Sequence, residues 1–246
     1  MKLFFNLLSL QLIKKGKPIC CVVPAAGIGQ RMQSDIPKQY LPFADSTVLE
    51  QTLKRLLSSP LIKTVIVALH PEDQFWQKTK FFNHPQVLTV VGGKERADSV
   101  LNALNVIKQF NDPTEWVMVH DAARPCIDIK DIKKLLVSVF SQQVGAILAM
   151  PLHDTVKKVL DQQVVETLDR RFLWRALTPQ VFKLNDLMEA LLIAKENAYS
   201  VTDEASAIEK IAGQAMIVEG RADNIKITSP ADLKLAEYFI QQQELN

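Results

Sequence analysis

Val22-Val23-Pro24-Ala25-Ala26-Gly27-Ile28-Gly29-Gln30-Arg31-Met32 ends an apolar run in a turn of small residues, and Pro37-Lys38-Gln39-Tyr40 follows closely. Residues 19–23 read as a buried strand, and the small residues after them let the backbone approach a ligand. Exposed N–H groups in such a turn form a concave anion site, because their partial positive charges converge with no side chain in the way. Arg31 adds a planar fork for phosphate oxygens and Lys38 a mobile point charge. A phosphate cradle carrying both cations suits chemistry at a nucleoside triphosphate, more than binding alone needs. Two other phosphate turns do not match. Met32 stands where a dinucleotide-binding turn wants a third small residue, and the chain has no Gly-Lys-Ser/Thr string of the Walker A type. An ordinary glycine-containing turn after a first strand is the other reading these residues allow.

Apolar runs that alternate with helical periodicity must position this turn. Strands are expected at 19–23, 64–69, 87–91, 116–120 and 145–150. Between them, 47–57 and 97–110 place their leucines and valines at the 3.6-residue period of helices covering a sheet, and 131–140 is a third such helix. This alternation predicts an α/β fold with a mostly parallel sheet. After Met150 the pattern changes. Residues 155–160 and 164–168 flank the polar Asp161-Gln162-Gln163 and read as a hairpin inserted into the α/β order. Helices near 185–197 and 203–212, short strands near 215–219 and 225–228, and a last helix from Pro230 follow. Ser229 is a good N-cap for that helix, with Pro at its first position.

Composition bounds the partners. In 246 residues, 48% are hydrophobic and 23% charged, ordinary for a soluble globular chain able to bury a substantial core. A net charge of +2 with dispersed Lys and Arg gives no nucleic-acid surface. Cys20 and Cys21, adjacent on a strand, point to opposite faces as small buried hydrophobes, and with Cys126 they fit a reducing, cytoplasmic location. The apolar residues 1–13 lack the charge order and cleavage site of a signal peptide and fall short of the about 20 residues that span a bilayer. Residues 1–17 are therefore an N-terminal extension, with surface contact to a membrane the lesser reading, and residues 18–246 a single domain.

Further segments carry a resemblance: Gly92-Gly93-Lys94-Glu95-Arg96-Ala97-Asp98-Ser99-Val100, Val119-His120-Asp121-Ala122-Ala123-Arg124-Pro125, Ala176-Leu177-Thr178-Pro179-Gln180, Thr202-Asp203-Glu204-Ala205-Ser206 and Glu219-Gly220-Arg221-Ala222-Asp223-Asn224-Ile225-Lys226. In this order, with the opening turn, they resemble the 2-C-methyl-D-erythritol 4-phosphate cytidylyltransferases of the non-mevalonate isoprenoid pathway, from about Cys20 to Tyr238. The resemblance implies a Rossmann-like nucleotide-diphospho-sugar transferase fold. It also implies transfer of a cytidylyl group from CTP to the polyol phosphate, with Mg²⁺ held mainly through the CTP phosphates rather than by a protein cage.

The resemblance also implies roles for residues. Arg31, Lys38, Arg170 and Lys226 serve catalysis. Pro24, Ala25, Ala26, Gly27, Gly29, Gly93, Ser99, Asp121 and Ala122 hold the nucleotide, its base read largely by backbone groups. Arg124, Thr155, Arg170, Thr178, Thr202, Asp223 and Lys226 hold the acceptor. The hairpin, an arm at about 151–175, reaches across a homodimer and brings Arg170 to the neighbour's site; read without the resemblance, it could equally fold on its own domain. Asp121 could serve as a helix cap or pair with Arg124, Ser99 could bond its own backbone, and each Thr could be an ordinary strand residue. His120 and His153 are structural, since a phosphate nucleophile is already ionised. Two residues depart from the family pattern: Arg175 where His is expected, and Lys94 where an acidic residue is frequent. A transferase acting on ribitol 5-phosphate and a non-catalytic nucleotide-binding protein are the alternatives.

Overall fold

The computed structural model describes residues 19–27, 36–110 and 114–245; Gly29, Arg31 and the extension at 1–17 lie outside them. The chain begins with β1 (Ile19–Pro24), a small β2 (Pro42–Phe43) and β3 (Ser46–Thr47) pair, α1 (Val48–Leu57), β4 (Ile62–Leu69), β5 (Val87–Val91), α2 (Arg96–Lys108) and β6 (Trp116–Val119). It continues through α3 (Ile129–Gln142), β7 (Ala146–Pro151), β8 (Val156–Leu160), β9 (Gln163–Leu168) and β10 (Trp174–Lys183). It ends in α4 (Leu184–Glu196), α5 (Glu204–Lys210), β11 (Met216–Glu219) and α6 (Pro230–Glu244).

Seven strands form one sheet in the order β11-β7-β10-β6-β1-β4-β5. All neighbours are parallel except β10, which runs antiparallel to both β6 and β7. Along β1, Ile19, Cys21 and Val23 enter one apolar cluster, and Cys20 and Val22 the other. A strand buried on both faces reads as a continuous apolar run for this reason. On the first face lie Leu49, Leu53 and Leu56 of α1 with Ile132, Leu135 and Leu136 of α3; on the second lie Val100, Leu104 and Ile107 of α2 with helices α4 and α5.

Helix starts follow local chemistry. Thr47 Oγ1 accepts from the Glu50 N–H at 3.3 Å while a Glu50 carboxylate oxygen accepts from the Thr47 N–H at 3.0 Å, a capping box that sets the start of α1. Ser229 caps α6 in the same way through Asp232, with Pro230 at the first turn.

Two expectations are corrected. No strand was expected where β10 lies, and Pro179 within it removes a ladder donor. The structure accommodates the proline where the β7–β10 register shifts, between Ala176 and Gln180, and buries residues 177–182 between two neighbours. Conversely, residues 225–228 form no strand; the Ile227 N–H instead donates to the Ala123 carbonyl at 2.8 Å. The hairpin forms as expected. Strands β8 and β9 pair with each other in a sheet of their own, closed by Asp161 and Gln162, both with positive φ as a tight hairpin turn requires.

Candidate active site

Strand order reverses at β1, which has β4 on one side and β6 on the other, and the crevice outside the carboxyl ends of strands at such a point is where open α/β sheets bind ligands. A cleft of about 200 Å³ opens there. It is lined by Pro24, Ala25, Ala26 and Gly27 after β1, by Gly93 to Arg96 and Ser99 after β5, by Asp121 to Ala123 after β6, and by Lys38, Gln39 and Lys226. Four cations, Lys38, Lys94, Arg96 and Lys226, face two carboxylates, Glu95 and Asp121, so the cleft favours an anion.

The first turn is held by Gln39, a motif residue whose role the sequence did not reveal. Gln39 is buried, and its side-chain amide donates to the carbonyls of Ala25 at 2.7 Å and Gly27 at 3.1 Å. Occupying those carbonyls fixes the orientation of the turn's peptides. Across the cleft, a side chain on Gly92 would collide with Ala26, so glycine there lets the two loops meet. Ser99 Oγ accepts from the Gly93 N–H at 3.0 Å and donates to the Glu95 carbonyl at 3.1 Å. Its hydroxyl therefore bonds its own loop, the second of the two readings above, and in doing so shapes the wall that Gly93 presents.

Asp121 is the electrostatic centre. Its carboxylate lies 3.0 Å from Lys226 Nζ, 3.2 Å from Arg124 Nε and 3.3 Å from Arg96 Nε. Burial pushes the carboxyl up, but Arg96, Lys226 and Arg124 outweigh it and hold it well below the usual carboxylate range. Arg96 also grips the buried Glu204 at the start of α5 through two bonds of 2.6 and 3.1 Å. No local signal revealed this pair, whose members lie 108 positions apart. Arg124 Nη1 donates to the Asn224 carbonyl at 2.8 Å, and Lys38 Nζ to the Ile227 carbonyl at 3.3 Å, so the segment that carries Lys226 is drawn against both loops.

A folded-state pKa depressed in this way stabilises the fold above the unfolded value near 4, and the stabilisation is lost as pH falls below it. Asp121→Asn leaves Arg96, Arg124 and Lys226 facing one another and should cost about 3 kcal/mol near neutral pH. The gap in urea midpoint between wild type and variant should narrow as pH falls from about 5 toward 2, because Asp121 of the unfolded wild-type chain then takes up a proton that the folded carboxylate refuses, and the wild type loses that stabilisation. A gap that stays constant over that range refutes the assignment.

Not every acceptor residue implied by the resemblance meets at this cleft. Thr178 is buried beside Asp121, whose N–H donates to Thr178 Oγ1 at 3.1 Å. Asp223 is engaged away from the cluster, by Arg221 Nε at 3.0 Å and the Gln243 side-chain amide at 3.0 Å. Thr202 is exposed before α5, where its N–H donates to Ser206 Oγ at 3.1 Å. Thr155 and Arg170 are exposed on the arm, Arg170 bonding the His153 carbonyl, and neither lines the cleft of its own chain. Of the two departures, Lys94 lines the cleft, and Arg175 on β10 donates to Met150 Sδ at 3.4 Å.

A family model described as 2-C-methyl-D-erythritol 4-phosphate cytidylyltransferase matches residues 19–242. The protein of that name from Vibrio cholerae serotype O1 is 49% identical over 224 residues, covering 91% of this chain and 96% of its own length. Its namesake from Shewanella loihica is 47% identical over 234 residues, covering 94% and 95%. The crystal structure of the Francisella tularensis 2-C-methyl-D-erythritol 4-phosphate cytidylyltransferase shares the fold with a TM-score of 0.79 at 39% identity, covering 91% of this chain and all (100%) of that one. The Thermus thermophilus enzyme of the same name gives a TM-score of 0.73 at 26% identity, covering 89% and 98%.

Proposed function

Because the chain belongs to the 2-C-methyl-D-erythritol 4-phosphate cytidylyltransferase family, we propose that it transfers the cytidylyl group of CTP to 2-C-methyl-D-erythritol 4-phosphate, giving 4-diphosphocytidyl-2-C-methyl-D-erythritol and pyrophosphate for isoprenoid precursor synthesis. The observation that carries this reading is the convergence of the turn at 24–27, Lys38, Lys226 and Asp121 on one cleft at the reversal of strand order. A phosphate oxygen of the acceptor forms a bond to the α-phosphorus while the bond from that phosphorus to the bridging oxygen breaks, and pyrophosphate leaves. No proton needs removing, since the attacking phosphate is already ionised. Positioning and charge neutralisation must therefore supply most of the rate.

The turn at 24–27 cradles the triphosphate, with Lys38 beside it; Arg31, outside the described residues, adds a second cation. Main-chain groups of that turn and of Gly93 read the edge of cytosine. Lys226 and Arg124 hold the acceptor phosphate, and Asp121 stands between them to keep like charges apart. Mg²⁺ would be held mainly through the CTP phosphates, because both oxygens of the ionised Asp121 already face Arg96, Arg124 and Lys226 and Mg²⁺ needs few protein ligands beside substrate oxygens. When bound, the ion supplies neutralisation of the phosphate oxygens. Among the described residues no helix is long and apolar enough to cross a membrane. The three free cysteines, all buried, suit a reducing compartment and support placing the enzyme in the cytoplasm. The exposed arm supports a homodimer, in which Thr155 and Arg170 serve the neighbouring cleft.

Pyrophosphate release with CTP and Mg²⁺ should depend on 2-C-methyl-D-erythritol 4-phosphate. Release with ribitol 5-phosphate alone would keep the chemistry and change the acceptor; no release with either would remove the proposal.

A further inference from the structure

His120 is fully buried at the end of β6, and nothing above uses it. Its Nε2 lies 3.1 Å from the Arg124 carbonyl oxygen and its Nδ1 lies 3.0 Å from Thr178 Oγ1. A carbonyl only accepts, so the network assigns the ring proton to Nε2. Nδ1 of the neutral ring then offers only a lone pair, and the Thr178 hydroxyl must donate to it. The same hydroxyl oxygen accepts from the Asp121 N–H. The direction of every bond follows: Asp121 N–H to Thr178, Thr178 O–H to His120, His120 Nε2–H to the Arg124 carbonyl. Loss of solvent pulls the imidazole pKa down to about 4, against the pull of the Arg124 carbonyl and the nearby Asp121 carboxylate, so the ring is neutral at physiological pH.

This closed path begins and ends on the turn whose side chains form the ion cluster. It also reaches the third loop, since the Asn224 side-chain amide donates to the Thr178 carbonyl at 2.8 Å and Arg124 donates to the Asn224 carbonyl. A hydroxyl has one hydrogen. Committed to His120, the Thr178 hydroxyl cannot donate to a polyol.

We propose that His120 and Thr178 form a positioning pair that fixes the turn bearing Asp121 and Arg124, so that Asp121 holds Arg124 and Lys226 in place for the bound phosphates, and that the Thr178 hydroxyl serves this pair instead of the acceptor's hydroxyls. The inference rests on the cytidylyltransferase reading of the cleft and deepens it. It reassigns Thr178 from substrate contact to support of the groups that make contact.

The test compares kcat/KM for the acceptor in Thr178→Ser, Thr178→Val, His120→Leu and the Thr178→Val/His120→Leu double variant. Thr178→Ser keeps every bond and should stay within about threefold of wild type, whereas Thr178→Val should lose about 10- to 100-fold through misaimed groups. Because both single variants break one path, the double variant should be no worse than the less active single. Penalties that multiply would mean that Thr178 acts independently on the substrate and would overturn the proposal. Imidazole ¹⁵N spectra of the wild-type enzyme give a readout that needs no variant to fold. His120 should show the neutral Nε2–H tautomer, unchanged on saturation with 2-C-methyl-D-erythritol 4-phosphate. A shift of Nδ1 on saturation, as the hydroxyl turns to the polyol, would equally overturn it. Absence of wild-type turnover with this acceptor would instead count against the functional reading, while the tautomer stays measurable in the free enzyme.

Discussion

Lys38→Ala will lower kcat about 10²- to 10³-fold, the usual loss when one preorganised charge aimed at a transition state is removed. The reaction crowds the acceptor phosphate against a triphosphate, and negative charge grows on the equatorial oxygens of the α-phosphorus and on the leaving pyrophosphate. Lys38 stands on the 3-10 turn Lys38–Tyr40, where its Nζ reaches the Ile227 carbonyl next to Lys226. Two ammonium groups are thus brought to one side of the cleft by elements far apart in sequence. The turn bearing Lys38 is fixed independently of the charge: Gln39 is held by the Ala25 and Gly27 carbonyls, and Tyr40 donates to Asp73 at 2.8 Å. Removing the ammonium should therefore leave thermal unfolding nearly unchanged and spare CTP affinity more than turnover, since a group that acts mainly in the transition state shows itself in kcat. Lys226→Ala should lose comparable turnover, and its acceptor KM should rise because this lysine also neutralises Asp121. Steady-state pyrophosphate release with calorimetry on the same preparations checks both. Turnover of Lys38→Ala within about threefold of wild type would strip it of a catalytic role.

The legibility of this chain in its sequence follows the range of the forces involved. β1 and its turn were readable because a strand buried on both faces is an unbroken apolar run and the cradle after it is made of adjacent residues. The starts of α1 and α6 were readable because caps are decided within three residues. β10 was not, since Pro179 argues locally against a central strand and only the register shift against β7 accommodates it. Residues 225–228 misled in the opposite way. Their alternating apolar side chains satisfy the rule for a half-buried strand, yet no neighbouring strand is there, and Ile227 is buried beneath α6 instead. In the site, the residues that line the cleft at 24–27, 93, 99, 121 and 122 came from motifs. The groups that hold them, Gln39, Arg96 with Glu204, and His120 with Thr178, act through contacts 12 to 108 positions apart. Such pairs leave no periodic trace, because burial that is paired costs the local pattern nothing visible. They emerge only when strands bring the partners together.

Mixing Arg170→Ala with Lys38→Ala will restore activity that neither variant has alone. The argument starts from the arm. An isolated two-stranded hairpin is marginal in water, and this one leaves Leu160, Val164 and Val165 at 66%, 61% and 58% exposure, with Phe172 beyond it at 79%. Apolar side chains concentrated on a projecting element call for cover, and a second copy supplies it while leaving no unmatched surface, since a two-fold contact is self-complementary. Arg170 sits at the base of that arm, within the 3-10 turn Arg170–Phe172, and does not line the cleft of its own chain. In a dimer with exchanged arms, one mixed site takes Lys38 from one subunit and Arg170 from the other, both intact, and the second site carries both lesions. Equal mixing makes half the dimers mixed, each with one working site, so activity should return to about one quarter of wild type under C2 symmetry. The variants are mixed under mild denaturation or coexpressed, so that subunits of either kind can pair. If each chain instead used its own Arg170, every site in the mixture would carry one lesion and activity would stay at the level of the single variants. That result, obtained with mixed dimers verified by mass, would return the arm to its own domain and leave Arg170 with no part in the neighbour's chemistry.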